Sequence, residues 1–207
     1  MDITRQSRRH RYRVKSMGEM ANVSDSAERS ITVEEFDRMW ERGIIGPEER
    51  VELIEGRLVR REMMNPPHAS IMLRMTERLV HAFRGRALIL QQLPFVANER
   101  SKPFPDFALL KARSDFYAER LPAPPDVIAV VEVSDSRLRF DRGEKLRLYA
   151  KVGIPEYWIV DVKKKGIEVY RGRHDLGYAA PVVAKAGESV SFTAFPDVVL
   201  AVDELVG

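Results

Sequence analysis

Three side chains in this sequence carry charge where the surrounding pattern is apolar. Glu132 follows the run Val127-Ile128-Ala129-Val130-Val131, which is fenced upstream by Pro122, Pro124 and Pro125. A short run rich in β-branched residues with such a boundary predicts a strand buried on both faces. An ionised carboxylate at its end is costly unless a cation compensates it. The next segment supplies one. From Arg137 to Val152 the pattern is helical, and at about 100° per residue Leu138, Leu148, Tyr149 and Val152 share one side, with Lys145 at its centre. Asp106 repeats the theme upstream, a single acid after Pro105 at the start of the strand-like FPDFALL (Phe104 to Leu110). A lysine in an apolar stripe can snorkel to solvent, and a lone acid can sit on a sheet edge. Occurring together on consecutive elements, they point instead to a site where a carboxylate and an ammonium meet, either as an ion pair or as reacting groups.

The elements that must position these groups follow in a mixed α/β order. Ile31 to Gly43 reads as a helix: Thr32 caps it, Glu35 completes a capping box and Ile31 staples onto Phe36. Gly43 stands where a left-handed residue ends a helix. Val51 to Glu62 reads as a β-hairpin turning at Glu55-Gly56, in which spacing alone makes Glu52 a surface residue. Asn65-Pro66-Pro67-His68 ends the hairpin and opens a second helix, about His68 to Arg84, whose apolar face is Ile71, Met72, Met75, Leu79 and Phe83. His68 in its first turn can touch a substrate phosphate or a metal-held water, or simply pack or cap, because one histidine specifies no ligand set. Strands are predicted at 87–96, 104–110, 156–162 and 167–171, with Lys163-Lys164-Lys165 as a solvated hairpin tip. Residues 176–203 read as two or three short closing strands.

Composition bounds the rest. At 207 residues and 44% apolar the chain has room for one substantial domain, placed at 31–207, after a polar segment 1–30 predicted to be a disordered tail. Six basic side chains within residues 1–15, among them Arg8, Arg9, Arg11 and Arg13, face only Asp2. They exceed the whole chain's net charge of +3, so the remainder is net acidic. Such an arm can hold nucleic-acid phosphates without sequence preference, or can be a merely solvated tail. The absence of cysteine excludes disulfides, thiolate metal sites and cysteine nucleophiles. No apolar run is long enough to span a membrane, and no secretory core opens the chain, so a cytoplasmic location is expected.

Pro105-Asp106, then Glu132-Val133 leaving a central strand with a lysine nearby, resembles the PD-(D/E)XK nuclease superfamily. The series VELIEGRLV (51–59), NPPHAS (65–70), FPDFALL (104–110), VVEVSDSRLRFDRGEKLRLYAKVGIPEYWIVD (130–161) and IEVYR (167–171) is similar to the Uma-type restriction endonuclease family. The resemblance implies a restriction-endonuclease-like mixed β-sheet core flanked by helices, here with extra C-terminal strands. Ser134 stands where the superfamily places its lysine, and the resembling family supplies that lysine from the following helix, at Lys145. The resemblance also raises Glu52 to a site member, giving Glu52, Asp106, Glu132 and Lys145 as the catalytic set. Mg²⁺, with Mn²⁺ as substitute, would be held by Asp106, Glu132 and the carbonyl of Val133, since it takes one or two carboxylates with water and phosphate oxygens. Asp141, one turn before Lys145, either orients the amine or supports the helix; with His68 and Ser134 it is an accessory position. The implied function is Mg²⁺-dependent hydrolysis of phosphodiester bonds in DNA by a homodimer. The alternatives are a nuclease-shaped protein that binds nucleic acid or a partner without cutting, and an interaction domain whose acids form an ion-pair network with Lys145.

Overall fold

The computed structural model describes residues 29–61, 63–175 and 177–207; the tail arginines Arg8, Arg9, Arg11 and Arg13 lie outside them. Helix α1 (Val33–Glu41) begins with the capping box expected from its sequence, Glu35 N donating to Thr32 Oγ1 at 3.2 Å and Thr32 N to Glu35 Oε2 at 3.0 Å. Strands β1 (Val51–Ile54) and β2 (Arg57–Arg60) pair antiparallel around Glu55 and Gly56, whose φ angles are 49° and 77°. Two consecutive positive φ values are what a two-residue hairpin of the tightest kind requires. A Cβ on Gly56 would also lie 1.8 Å from Ser30 Oγ. Helix α2 (Pro66–Phe83) starts two residues earlier than expected, because prolines are tolerated in a first turn and Asn65 Oδ1 accepts from His68 N at 3.1 Å.

Then come β3 (Ala87–Gln91), β4 (Phe107–Lys111) and β5 (Val127–Ser134). A helical segment follows in three parts: α3 (Leu138–Phe140), a π-helical turn (Asp141–Lys145) and α4 (Leu146–Lys151). The chain ends with β6 (Glu156–Asp161), β7 (Gly166–Tyr170), β8 (Val182–Ala184), β9 (Ser189–Val190), β10 (Leu200–Ala201) and α5 (Val202–Val206). The last helix is a departure from the sequence expectation of strands alone; at five residues it is too short to show a helical period.

Strands β3 to β8 lie in that order in one six-stranded sheet, antiparallel throughout except for β5 and β6. A parallel pair demands a crossover connection, and the three-part helical segment is that crossover. Both faces of the sheet are covered. On one, Phe107, Val131 and Trp158 pack under Met75 and Leu79 of α2 and Leu205 of α5. On the other, Ala108, Val130 and Ile159 pack under Leu148 and Tyr149 of α4. Alternation along β5 therefore sends Glu132 to the α4 face, beneath the crossover.

Candidate active site

The antiparallel register pairs Phe107 with Val131, so the residue before β4, Asp106, comes beside Glu132 on the same face. Its carboxylate is fixed there by the strand itself: Val133 N donates to Asp106 Oδ2 at 2.9 Å. Gln92 Nε2 donates to Oδ1 at 3.3 Å, and His68 Nε2 stands 3.5 Å from the same oxygen. Gln92 holds a left-handed backbone (φ 50°) at the end of β3, a conformation of the kind that concentrates at functional sites. From the crossover, Lys145 Nζ reaches Glu132 Oε1 at 2.9 Å and Glu52 Oε2 at 3.3 Å. Tyr149 of α4, one turn on, donates its hydroxyl to Glu132 Oε1 at 2.7 Å. Glu52 is 1% exposed, buried in the hairpin rather than on its surface, and accepts from Phe104 N at 3.3 Å. The surface reading of Glu52 fails because the hairpin lies against the site and has no solvent face there.

The π turn is what brings Lys145 into place. It carries one residue more per turn than an α-helix, so the stripe counted at α-helical spacing is offset within Asp141–Lys145. Both ends of that turn are buried, Asp141 at 6% and Lys145 at 5% exposure. Ser134, at the end of β5, lies buried on the sheet side.

Four buried carboxylates (Glu52, Asp106, Glu132, Asp141) thus surround one buried ammonium. Burial, followed by the nearby charges of Asp106, Asp141 and Glu52, pushes Glu132 up to about 8 despite the opposing pull of Lys145. Asp141 is likewise raised, mainly by burial. Burial works against ionisation of Asp106 too, but the His68 contact, the Val133 amide and Lys145 outweigh it and hold its pKa low. Burial also works against the charge on Lys145, and Glu132, Glu52 and Asp141 overcome it, so the amine stays protonated. The cluster is short of positive charge.

The cleft over these groups is also lined by Arg50, Arg61, Met64, Phe104 and Arg137, and encloses about 40 Å³. A water needs about 10–15 Å³ on that measure, so an ion with its water fits and a nucleotide does not. Among the described residues no three His, Asp or Glu side chains stand together as a ready-made metal cage. The donor set nevertheless suits Mg²⁺, which keeps several waters and takes only one or two carboxylates. Asp106 and Glu132 are adjacent oxygen donors, and no hydrogen bond among the described residues engages Glu132 Oε2. Val133 lines the cleft. Its N–H points to Asp106, and in a strand the carbonyl of the same residue points to the same edge.

Of the residues singled out from the sequence, Glu52, Asp106, Glu132, Val133, Lys145, His68 and Asp141 all line this cleft, and Ser134 lies buried behind it. Sequence reasoning missed Tyr149 as a polar partner, since its position in an apolar stripe marked it only as core. It also missed Gln92, Arg50, Arg61 and Arg137, polar residues in or beside predicted elements that nothing in their spacing marked as facing a cleft.

The mixed sheet, with its antiparallel acid-bearing pair, parallel crossover and lysine from that crossover, is the restriction-endonuclease-like arrangement that the sequence resemblance implied. The chain belongs to the Uma2 family, whose profile, described as "Putative restriction endonuclease", matches residues 33–203. That match runs through the closing strands as well as the motif region. Among solved structures, a "putative nuclease belonging to DUF820" from Anabaena variabilis superposes with a TM-score of 0.65 at 17% identity, over 85% of this chain and 97% of that one. No match was found among curated proteins. No helix among the described residues is long and apolar enough to cross a membrane.

Proposed function

We propose that this protein is a divalent-metal-dependent nuclease that hydrolyses phosphodiester bonds within DNA. One observation carries the reading: Asp106 and Glu132 converge on adjacent strands with Lys145 Nζ 2.9 Å from Glu132 Oε1. Asp106, Glu132 and the carbonyl of Val133 would hold Mg²⁺, or Mn²⁺ in its place. When bound, the ion supplies polarisation of the phosphodiester and acidification of water near neutral pH. The chain's own groups do the rest. Lys145, kept charged by the acids around it, donates to the attacking water or to the phosphate oxygen on which negative charge builds. Glu52 steadies the amine from the hairpin side, and Tyr149 fixes one oxygen of Glu132 so that the other is left for the ion. His68 and Gln92 orient Asp106, while Asp141 and Ser134 stand behind the lysine. The nuclease family supports a nucleic-acid substrate; DNA as that substrate and a two-fold dimer that cuts paired strands are part of the proposal. The basic tail would add contacts to backbone phosphates without sequence preference.

A second reading, a structural ion-pair network, is favoured by the fact that Glu132 Oε1 already holds two donors without substrate. Cleavage assays on circular, linear duplex and single-stranded DNA with Mg²⁺ or Mn²⁺, beside calorimetric Mn²⁺ titration, separate the two. The nuclease reading expects metal-dependent nicking or cutting by the wild type, and loss of both cutting and Mn²⁺ binding in Asp106→Ala. Mn²⁺ binding by Asp106→Ala equal to the wild type, with no cutting by either, would leave a structural ion-pair network.

A further inference from the structure

We infer that Arg61, with Arg50 beside it, is the phosphate grip of the cleft, holding the sugar–phosphate backbone of a nucleic-acid strand at the mouth above the buried acids. The identity of the ligand rests on the nuclease reading; the existence of an anion site rests on the arginines themselves. The hairpin brings them together, since Arg61 N donates to Arg50 O at 2.6 Å, extending the β1–β2 ladder by one step beyond Val51 and Arg60. Both are half-buried and both line the cleft. The Arg61 guanidinium lies over the Phe104 ring, 5.0 Å from its centroid, which orients its plane, and no hydrogen bond to a described residue commits its N–H groups.

Three other arginines, one of them in the cleft wall, are spent on protein partners. Arg57 pairs with Glu144, Arg142 with Glu168, and Arg137 bonds the Arg60 carbonyl while stacking on Phe140. Arg50 and Arg61 are different: among the described residues no carboxylate oxygen lies within 4 Å of either. Two partly desolvated guanidinium groups side by side repel each other, and the arrangement is relieved when an anion bridges them. The buried acids attract Arg61 from a distance but do not hold it. A guanidinium offers its donors as a rigid fork that matches two oxygens of a phosphate. The small volume behind it keeps sugar and base outside, so what the fork meets is backbone, independent of sequence.

The test is fluorescence anisotropy of the full chain with labelled duplex and single-stranded DNA in EDTA, at a series of salt concentrations, so that binding is read without metal or cutting. Arg61→Ala and Arg50→Ala are each expected to weaken binding about tenfold and to reduce the salt slope by about one. Arg61→Lys should keep the slope while losing part of the affinity, because one point charge replaces the fork. Arg61→Gln serves where the alanine variant fails to fold, and Arg78→Ala, on α2 and paired with Glu77 and Glu204, should bind as the wild type. The inference is overturned if Arg61→Ala matches the wild type in affinity and slope, or if it alters only Mn²⁺ affinity and melting temperature, which is the result for a residue that merely balances the acids. Wild type that binds through Arg61 and never cuts refutes the nuclease reading alone; wild type that cuts, with Arg61→Ala unimpaired in binding, refutes the grip alone.

Discussion

Glu132 carries its charge at a cost, buried among other acids. Its pKa, raised to about 8 by burial and by the acids around it, lies well above the ordinary carboxylate value near 4.5 that the unfolded chain restores. Between those values the folded state keeps a proton that the unfolded state gives up, so stability falls as pH rises through the window. The metal-free protein is therefore expected to lose melting temperature from about pH 5 to about pH 8, and Glu132→Gln should flatten that decline. A wild-type profile that rises over the same range would show that Lys145 fully compensates the acid. At this scale the sequence was informative where charge broke an apolar pattern. Asp106, Glu132 and Lys145 stood out against β-branched strands and a helical stripe. Glu52 did not, because polar alternation in a hairpin looks the same whether the polar face meets water or another charged cluster. Family resemblance, not spacing, brought it into the set.

At the scale of elements, the π turn between α3 and α4 decides where the amine goes. One inserted residue within Asp141–Lys145 lets Leu138, before the turn, pack in the same apolar cluster as Leu148 and Tyr149 after it, while Asp141 and Lys145 both line the cleft. Deleting Gly143, around which an added Cβ would meet nothing closer than Arg147 at 4.0 Å, should restore α-helical spacing and rotate Lys145, together with α4, by about 100° relative to α3. Far-UV circular dichroism should be retained while cleavage falls by about 100-fold or more; full activity in the deletion variant would show that the turn does not place Lys145. The sequence spoke clearly for the elements whose ends carry strong signals. Thr32 with Glu35, Glu55-Gly56 and Asn65 with its prolines each announced a boundary through a specific hydrogen bond or backbone angle. The π turn carried no such signal, since Asp-Arg-Gly-Glu-Lys is compatible with an ordinary helix. The closing helix α5 was too short to show a period.

For the molecule as a whole, the mixed α/β order of elements was readable from the sequence, whereas the parallel pairing of β5 with β6 was not. What spacing could not provide was the meeting of remote segments: Glu52 and Lys145 are 93 positions apart, yet their charged atoms stand 3.3 Å from each other. Such contacts depend on how the β1–β2 hairpin is seated against the sheet, which no local pattern encodes. The cleft so formed is small, lined by buried acids and half-buried arginines, a polarity suited to a cation beneath and a phosphate across the mouth. The most direct test is a crystal of the full chain soaked in Mn²⁺ and measured at a wavelength where manganese scatters anomalously. The account predicts an anomalous peak between the carboxylates of Asp106 and Glu132, beside the Val133 carbonyl. Absence of a peak there at saturating Mn²⁺, with Lys145 still bonded to both Glu132 and Glu52, would contradict it.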